Sequence, residues 1–200
     1  MANKIITISR EFGSGGRTVG RMTAEKLGIP CYDQEIIDQI AEKSGLSREF
    51  IAERGEYTQR GGWLANAFAD RSLNGLSVQD YLWTVQRKTI IELAEQGPCV
   101  IVGRCADFIL QDKQQLLKVF IHASVPKRCE RIVQKYGESG EAPEKRLRDK
   151  DIRRSSYYRF YTDMEWGIAK NYDIVLDSGV FGIDRCVDVI TELYGAMQGE

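Results

Sequence analysis

The sequence predicts an α/β fold in which a parallel sheet is covered by helices on both faces. Short apolar segments alternate with amphipathic helical segments along the chain, which is the pattern of such a sheet. A glycine-rich turn joins the first apolar segment to the first helical one. With 200 residues, of which 42% are hydrophobic, the chain is long enough for one well-buried core. We therefore expect a single domain, residues 1–200, that carries an insertion.

The individual elements follow from the apolar runs and from helix-start signals. We predict strands at 4–9, 30–32, 99–102, 117–122 and 174–176. We predict helices at 18–27, 34–43, 78–96, 104–110, 126–136, 143–164 and 184–197. Pro126 falls in a first helical turn, where its missing N–H is tolerated. Two segments, 45–79 and 137–161, fit the alternation poorly, and such segments often form lids or substrate-binding insertions.

The first strand runs into a glycine-rich loop, Gly13-Ser14-Gly15-Gly16-Arg17-Thr18. Three glycines in four residues permit positive φ angles and let consecutive backbone N–H groups approach a ligand closely. The helix that follows points its unpaired N–H groups and its positive dipole end at the same place. The loop therefore predicts a phosphate-binding site, and the alternative is a plain corner between strand and helix.

The loop departs from the P-loop pattern G-x-x-x-x-G-K-[ST], whose lysine reaches the phosphates. One register places the last three positions on Gly16, Arg17 and Thr18, and the first position on Glu11. A second register places Gly16 at the lysine position and keeps Thr18 one step beyond the motif. Both registers lack the lysine, and the sequence leaves the choice between them open.

Two polar residues follow neighbouring strands, where ligands of open parallel sheets bind. Asp33 follows the second predicted strand, and Arg104 follows the third. The guanidinium group of Arg104 can hold a phosphate through two parallel hydrogen bonds. Asp33 can contact a substrate or a magnesium ion, or it can simply cap the helix that begins at residue 34.

A basic segment, residues 144–159, holds seven Lys or Arg side chains against three acidic ones. Arg148, Asp151 and Arg154 recur at three-residue intervals, so we expect them to share one helix face on which Asp151 braces both arginines. Glycines and a proline lie just before it, which favours a lid over residues 137–161 that expels water and stabilises a transferring phosphoryl group. The alternative is a solvated helix face with ordinary ion pairs.

Composition limits the remaining function classes. The net charge of -1 gives no global attraction to nucleic acid or to an anionic membrane, so an anion site must be local. The N-terminus leads directly into a strand, and no run approaches the roughly 18 apolar residues that span a bilayer. The five scattered cysteines indicate neither a disulfide framework nor a zinc site. We expect a cytoplasmic protein without nucleic-acid or membrane partners, and the sequence indicates no oligomeric state.

Four segments, residues 9–17, 27–33, 100–107 and 151–158, together resemble the cytidylate kinase-like family. The resemblance covers nearly the whole chain. It implies a three-layer P-loop NTPase fold, with a parallel five-stranded sheet, a helical lid at 137–161 and an acceptor-binding insertion at 45–79. It also implies that the γ-phosphoryl group of ATP is transferred to CMP or dCMP in the presence of Mg²⁺.

The resemblance also assigns site residues by position. Residues 13–18 would hold the ATP phosphates, and Thr18 would ligate Mg²⁺. Asp33 and Arg104 would face the acceptor nucleotide. Catalysis would rest on positioning and electrostatics rather than on a covalent nucleophile. The residues expected to act on the transferring group are Arg17, Arg148, Asp151 and Arg154.

Two departures from cytidylate kinases fall in the expected site. The P-loop lysine is absent, and Arg17 has a longer, bulkier and planar charged group. Residues 103–108 read Gly-Arg-Cys-Ala-Asp-Phe, whereas those enzymes carry Gly-Arg-Asp-x-Gly-Thr. Two alternatives therefore stay open: a kinase of another small metabolite on the same fold, and a non-catalytic protein that binds a nucleotide or another anion.

Overall fold

A computed structural model describes residues 3–49, 51 and 78–197 of the chain. Within these residues the strands are β1 Ile5–Arg10, β2 Cys31–Tyr32, β3 Cys99–Val102, β4 Leu116–His122 and β5 Ile174–Asp177. The α-helices are α1 Gly16–Leu27, α2 Gln34–Ser44, α3 Val78–Gln96, α4 Ala106–Ile109, α5 Val125–Tyr136, α6 Pro143–Thr162 and α7 Ser178–Ala196. A short 3-10 helix spans Ala169–Asn171.

The five strands form one parallel sheet in the order β2-β3-β1-β4-β5. The central strand β1 pairs with β3 on one side, with Ile5 opposite Cys99, and with β4 on the other, with Ile5 opposite Leu116. All carboxyl ends of the strands therefore lie at one edge of the sheet, and β1 ends at the middle of that edge. The predicted five-stranded parallel sheet is confirmed.

Two hydrophobic clusters hold helices to opposite faces of the sheet. Side chains alternate along a strand, so Ile5 of β1 faces one cluster and Ile6 and Ile8 face the other. The first cluster adds buried residues of α2 and α3, including Ile40 and Ile90. The second adds buried residues of α1 and α7. This arrangement gives the helix-sheet-helix layering that the sequence predicts.

The helix ends differ from the predicted ones where backbone conformation overrides the apolar pattern. Helix α4 is shorter than the predicted 104–110, because Gly103, Arg104 and Cys105 all have positive φ angles. Helix α7 is interrupted at Gly182, whose φ is +76°, and its second part begins close to the predicted 184. The sequence pattern missed the first turn, 178–181, where the Asp177 carboxylate accepts hydrogen bonds from the Gly179 and Val180 N–H groups.

The predicted acceptor-binding insertion, 45–79, lies largely outside the described residues, which omit 50 and 52–77. Its role stays a prediction. Among the helices that the structure describes, none combines the length and the apolar character needed to cross a membrane.

Candidate functional site

A cleft of about 420 Å³ opens at the carboxyl edge of the sheet, where the glycine loop meets α1, α5 and α6. Six of its lining residues are lysine or arginine, and Glu11 is the one acidic residue among those that the structure describes there. The cations are Arg10, Arg17, Arg131, Lys135, Lys150 and Arg154. In a chain with a net charge of -1, this concentration makes the cleft locally positive, as a local anion site requires.

The glycine loop turns sharply before α1 begins. Gly13 and Gly15 have φ angles of +78° and +82°, which residues with a Cβ rarely adopt. The first intrahelical hydrogen bond of α1 runs from the Val19 N–H to the Gly15 carbonyl at 2.9 Å. The N–H groups of residues 15–18 therefore have no helical acceptor and lie at the positive end of the α1 dipole. The structure thus places the predicted cradle on the wall of the cleft, including the half-buried Thr18 but not the fully buried Ser14.

Buried Arg128 of α5 joins the glycine loop to α6. Its guanidinium group donates to the Phe12 carbonyl at 3.1 Å and to the Asp151 carboxylate at 2.5 Å. It also lies 3.4 Å from the Glu11 carboxylate. Burial raises the pKa of Glu11, and the charge of Arg128 partly offsets that rise. Asp151 completes the connection because its carboxylate accepts the Phe12 N–H at 2.8 Å.

A second arginine of α5 holds the next part of the loop. Arg131 donates from Nη1 to the Ser14 carbonyl at 2.9 Å, and from Nη2 to the Ser178 carbonyl at 2.7 Å. The Ser178 hydroxyl donates to the same Ser14 carbonyl at 2.5 Å. Sequence reasoning assigned no role to Arg128 or Arg131. Their i, i+3 spacing on a helix that follows the end of β4 is the signal that could have found them.

The residues predicted to form a lid face on α6 are only partly brought together. Arg154 lines the cleft and donates from Nη1 to the Arg10 carbonyl at 3.1 Å, with its guanidinium carbon 5.7 Å from the centre of the Phe12 ring. Arg148 is exposed and lies outside the cleft lining. Three-residue steps fall short of a full turn, so six residues rotate by about 120° around the helix. Lys150, at i, i+4 from Arg154, lines the cleft instead.

The structure brings together two predicted site residues that the sequence treated separately. Arg17 lines the cleft, and its guanidinium group forms a salt bridge with the Asp33 carboxylate, with Nη2 at 3.3 Å from Oδ1. The Asp33 side chain makes no capping hydrogen bond to α2. The capping alternative for Asp33 is therefore not what the structure shows.

Arg104 lies in a second, smaller cavity beside the cleft. Its side chain is 5% exposed, its φ is +59°, and its Nη1 atom has no hydrogen-bond partner among the described residues. Gln86 of α3 holds the Arg104 carbonyl at 3.1 Å. Arg10 and Arg154 line both cavities, so they lie between the glycine loop and Arg104.

A buried carboxylic acid lies beneath the second cavity. Asp107 is 3% exposed and accepts hydrogen bonds from the Tyr158 hydroxyl at 2.7 Å and the Ser9 hydroxyl at 3.4 Å. Burial raises its pKa, although these donors partly offset the rise. Asp107 therefore fixes α6 to the end of β1 through Tyr158.

Metal binding by protein groups alone is not indicated in the part of the chain that the structure describes. No group of three or more His, Cys, Asp or Glu side chains there could hold a metal ion. The five cysteines, all within the described part, are free thiols.

A protein family and several known proteins are similar to this chain. The profile of the cytidylate kinase-like family matches residues 5–180. Cytidylate kinase of Archaeoglobus fulgidus is 30% identical over 191 residues, which cover 92% of this chain and 91% of the relative. Cytidylate kinase of Methanothrix thermoacetophila is 26% identical over 176 residues, which cover 88% of each chain.

Solved structures share the fold. An uncharacterized protein from Eubacterium ventriosum has a TM-score of 0.74 at 26% identity and covers 97% of this chain and 99% of its own. Shikimate kinase from Acinetobacter baumannii has a TM-score of 0.55 at 18% identity and covers 100% and 97%. The second likeness concerns the fold alone.

Proposed function

The chain belongs to the cytidylate kinase-like family, and we propose that it transfers the γ-phosphoryl group of ATP to CMP or dCMP. The observation that carries this proposal is the cleft in which six cationic side chains surround the unpaired amides at the start of α1. A ligand with several closely spaced negative charges, such as a nucleoside triphosphate, matches that arrangement. The two archaeal relatives named cytidylate kinase support the same reaction class.

The donor phosphates would bind along residues 13–18. The backbone N–H groups there would donate to phosphate oxygens without needing charged side chains, apart from that of Ser14, which donates to the Glu11 carbonyl at 3.3 Å. Arg17 and Arg154, both on the cleft wall, would stabilise the charge that spreads over the transferring group. No side chain forms a covalent intermediate in this scheme, so the rate depends on positioning and on electrostatics.

Mg²⁺ fits this site with few protein ligands. The ion commonly keeps several waters and uses substrate phosphate oxygens, so a single hydroxyl group on the cleft wall suits it. Thr18 supplies that hydroxyl beside the proposed phosphate position. When bound, Mg²⁺ would neutralise part of the phosphate charge.

The acceptor would bind on the side of Asp33 and Arg104. A buried guanidinium group with an unpaired N–H is costly unless an anion meets it, so Arg104 suits the phosphate of a nucleoside monophosphate. Asp33 would help to orient the acceptor and also holds Arg17 at the boundary of the two subsites.

Helix α6 would act as the lid, with Asp151 positioning it and Arg154 touching the reacting phosphates. Asp151 binds both Arg128 and the Phe12 N–H, so it links α6 to the donor loop. Arg148 remains a proposed contributor, although its exposed position supports a smaller effect than that of Arg154.

An acceptor screen tests the proposal. The purified protein would be supplied with ATP and Mg²⁺ and with CMP, dCMP, UMP or AMP in turn, and ADP release would be measured. We expect turnover with CMP and dCMP, and a raised acceptor KM in Arg104→Ala but not in the control Arg87→Ala, whose side chain is exposed on α3. Activity with none of the four would contradict the nucleotide assignment. If ATP still bound by calorimetry, a different acceptor or a non-catalytic binding protein would replace it.

A further inference from the structure

The missing side chain at Gly16 has a steric cause. A Cβ built on Gly16 would lie 2.4 Å from the Cβ of Arg10 and 2.9 Å from its Cγ, closer than real Cβ contacts allow. Gly16 is the first residue of α1 and is not among the residues with positive φ. The backbone angle therefore does not require glycine at position 16, and the main obstacle to a side chain there is Arg10, with the Cβ of Ile121 a further close neighbour at 3.3 Å.

Arg10 fills this space from the end of the central strand. It is the last residue of β1, is 6% exposed, and lines the cleft together with the glycine loop. Its stem crosses the start of α1 where a residue-16 side chain would begin. Because it also lines the second cavity with Arg104, Arg10 lies between the proposed donor and acceptor subsites.

The contact relates two departures from the P-loop pattern. In the register that ends its glycines at Gly15, the first glycine of G-x-x-x-x-G-K falls on Arg10 and the lysine falls on Gly16. The chain thus has an arginine where the pattern has glycine and a glycine where it has lysine, and these two residues touch. Arg17 is more exposed than Arg10: its side chain is 46% exposed and forms a salt bridge with Asp33.

We propose that Arg10 takes the place of the P-loop lysine and binds the donor phosphates, and that residue 16 is glycine to make room for it. This inference rests on the proposed use of ATP. An arginine in this place can donate two parallel hydrogen bonds to phosphate oxygens, whereas a lysine acts as a compact point charge. The inference selects the second register and supplies the cation that the missing lysine would provide. In that register Arg17 stands at the Ser/Thr position, so Thr18, the proposed Mg²⁺ ligand, lies one step beyond the motif.

A matched pair of variants isolates the charge. Arg10→Gly removes the cation, and Arg10→Gly with Gly16→Lys differs from it only by a lysine at position 16. ATP affinity would be measured by calorimetry without acceptor, and turnover by ADP release with the best acceptor. We expect Arg10→Gly to lose about a hundredfold in kcat/KM, the scale of one oriented donor. The double variant should recover at least about tenfold of that loss.

Further variants separate packing from charge. Gly16→Lys alone should not support wild-type turnover, because the Cβ of the new lysine would clash with the Arg10 side chain. Arg10→Lys, which keeps a cation, should keep more activity than Arg10→Gly at a similar melting temperature. Arg10→Gly with wild-type ATP affinity and turnover would overturn the inference, and so would a folded double variant no better than Arg10→Gly. If the wild-type protein bound no ATP at all, the proposed function would fail together with it.

Discussion

Replacing Asp151 with asparagine should destabilise the protein by removing the charge opposite Arg128. The Arg128 side chain is 8% exposed and that of Asp151 17%, so water screens the pair weakly. Breaking a buried pair from one side costs about 3 to 5 kcal/mol. Arg128 keeps its bond to the Phe12 carbonyl and the Glu11 carboxylate at 3.4 Å, and an asparagine oxygen can still accept the Phe12 N–H. We therefore expect the free energy of unfolding to fall by only about 2 to 3 kcal/mol.

Thermal unfolding followed by circular dichroism measures this loss. For a chain of this length we expect the melting temperature of Asp151→Asn to fall by about 5 to 10 °C. Asp149→Asn on the same helix is the matched control, because Asp149 pairs with the exposed Lys145, and its melting temperature should stay at the wild-type value. A double-mutant cycle with Arg128→Met should show that the two losses are not additive. An Asp151→Asn variant with the melting temperature of the wild type would refute the reasoning.

Three further predictions concern the site. Arg154→Ala should lower turnover about a hundredfold, which is the scale of losing one oriented hydrogen-bond donor. The control Arg159→Ala, on the exposed side of α6, should keep wild-type turnover. Equal kinetics in the two variants would show that Arg154 takes no part in the reaction. Asp33→Asn should raise the acceptor KM about tenfold, since it removes a charged partner of Arg17, and an unchanged KM would exclude Asp33 from the acceptor subsite. Burial raises the pKa of Asp107, so folding takes up a proton and wild-type stability falls as the pH rises from the ordinary carboxyl range through the raised pKa. Asp107→Asn removes that contribution, so the free energy of unfolding of the variant, measured with urea, should rise relative to that of the wild type across this pH range. A difference that does not change with pH would contradict this prediction.

The fold could be predicted because its signals are local. Apolar runs such as 99–102 have a strand length and are followed by helix-start residues, and all five strands were found within one residue at each end. Helix ends were predicted less well. The start of α7 depends on a side-chain cap at Asp177, and that of α4 depends on positive φ angles at Arg104 and Cys105, which the apolar pattern does not encode.

The site was predictable only where a residue follows directly from a motif or from a strand end. The glycine loop, Asp33 and Arg104 were predicted in this way, and their roles stay predictions. The salt bridge between Arg17 and Asp33 joins residues on different elements, and the contact between Arg10 and Gly16 depends on the path of one side chain. Helical spacing misled in one case, since steps of three residues carry Arg148 away from the cleft.

The two α5 arginines explain how the glycine loop is held in one conformation without a ligand. In a trans peptide the C=O and the following N–H point in opposite directions. Arg128 holds the Phe12 carbonyl, while Arg131 and the Ser178 hydroxyl hold the Ser14 carbonyl. The N–H groups of the next residues, Gly13 and Gly15, are thereby turned away from α5. Donors fixed in this way need no reorganisation when a phosphate binds, so a buried arginine can assist phosphate binding without touching the phosphate.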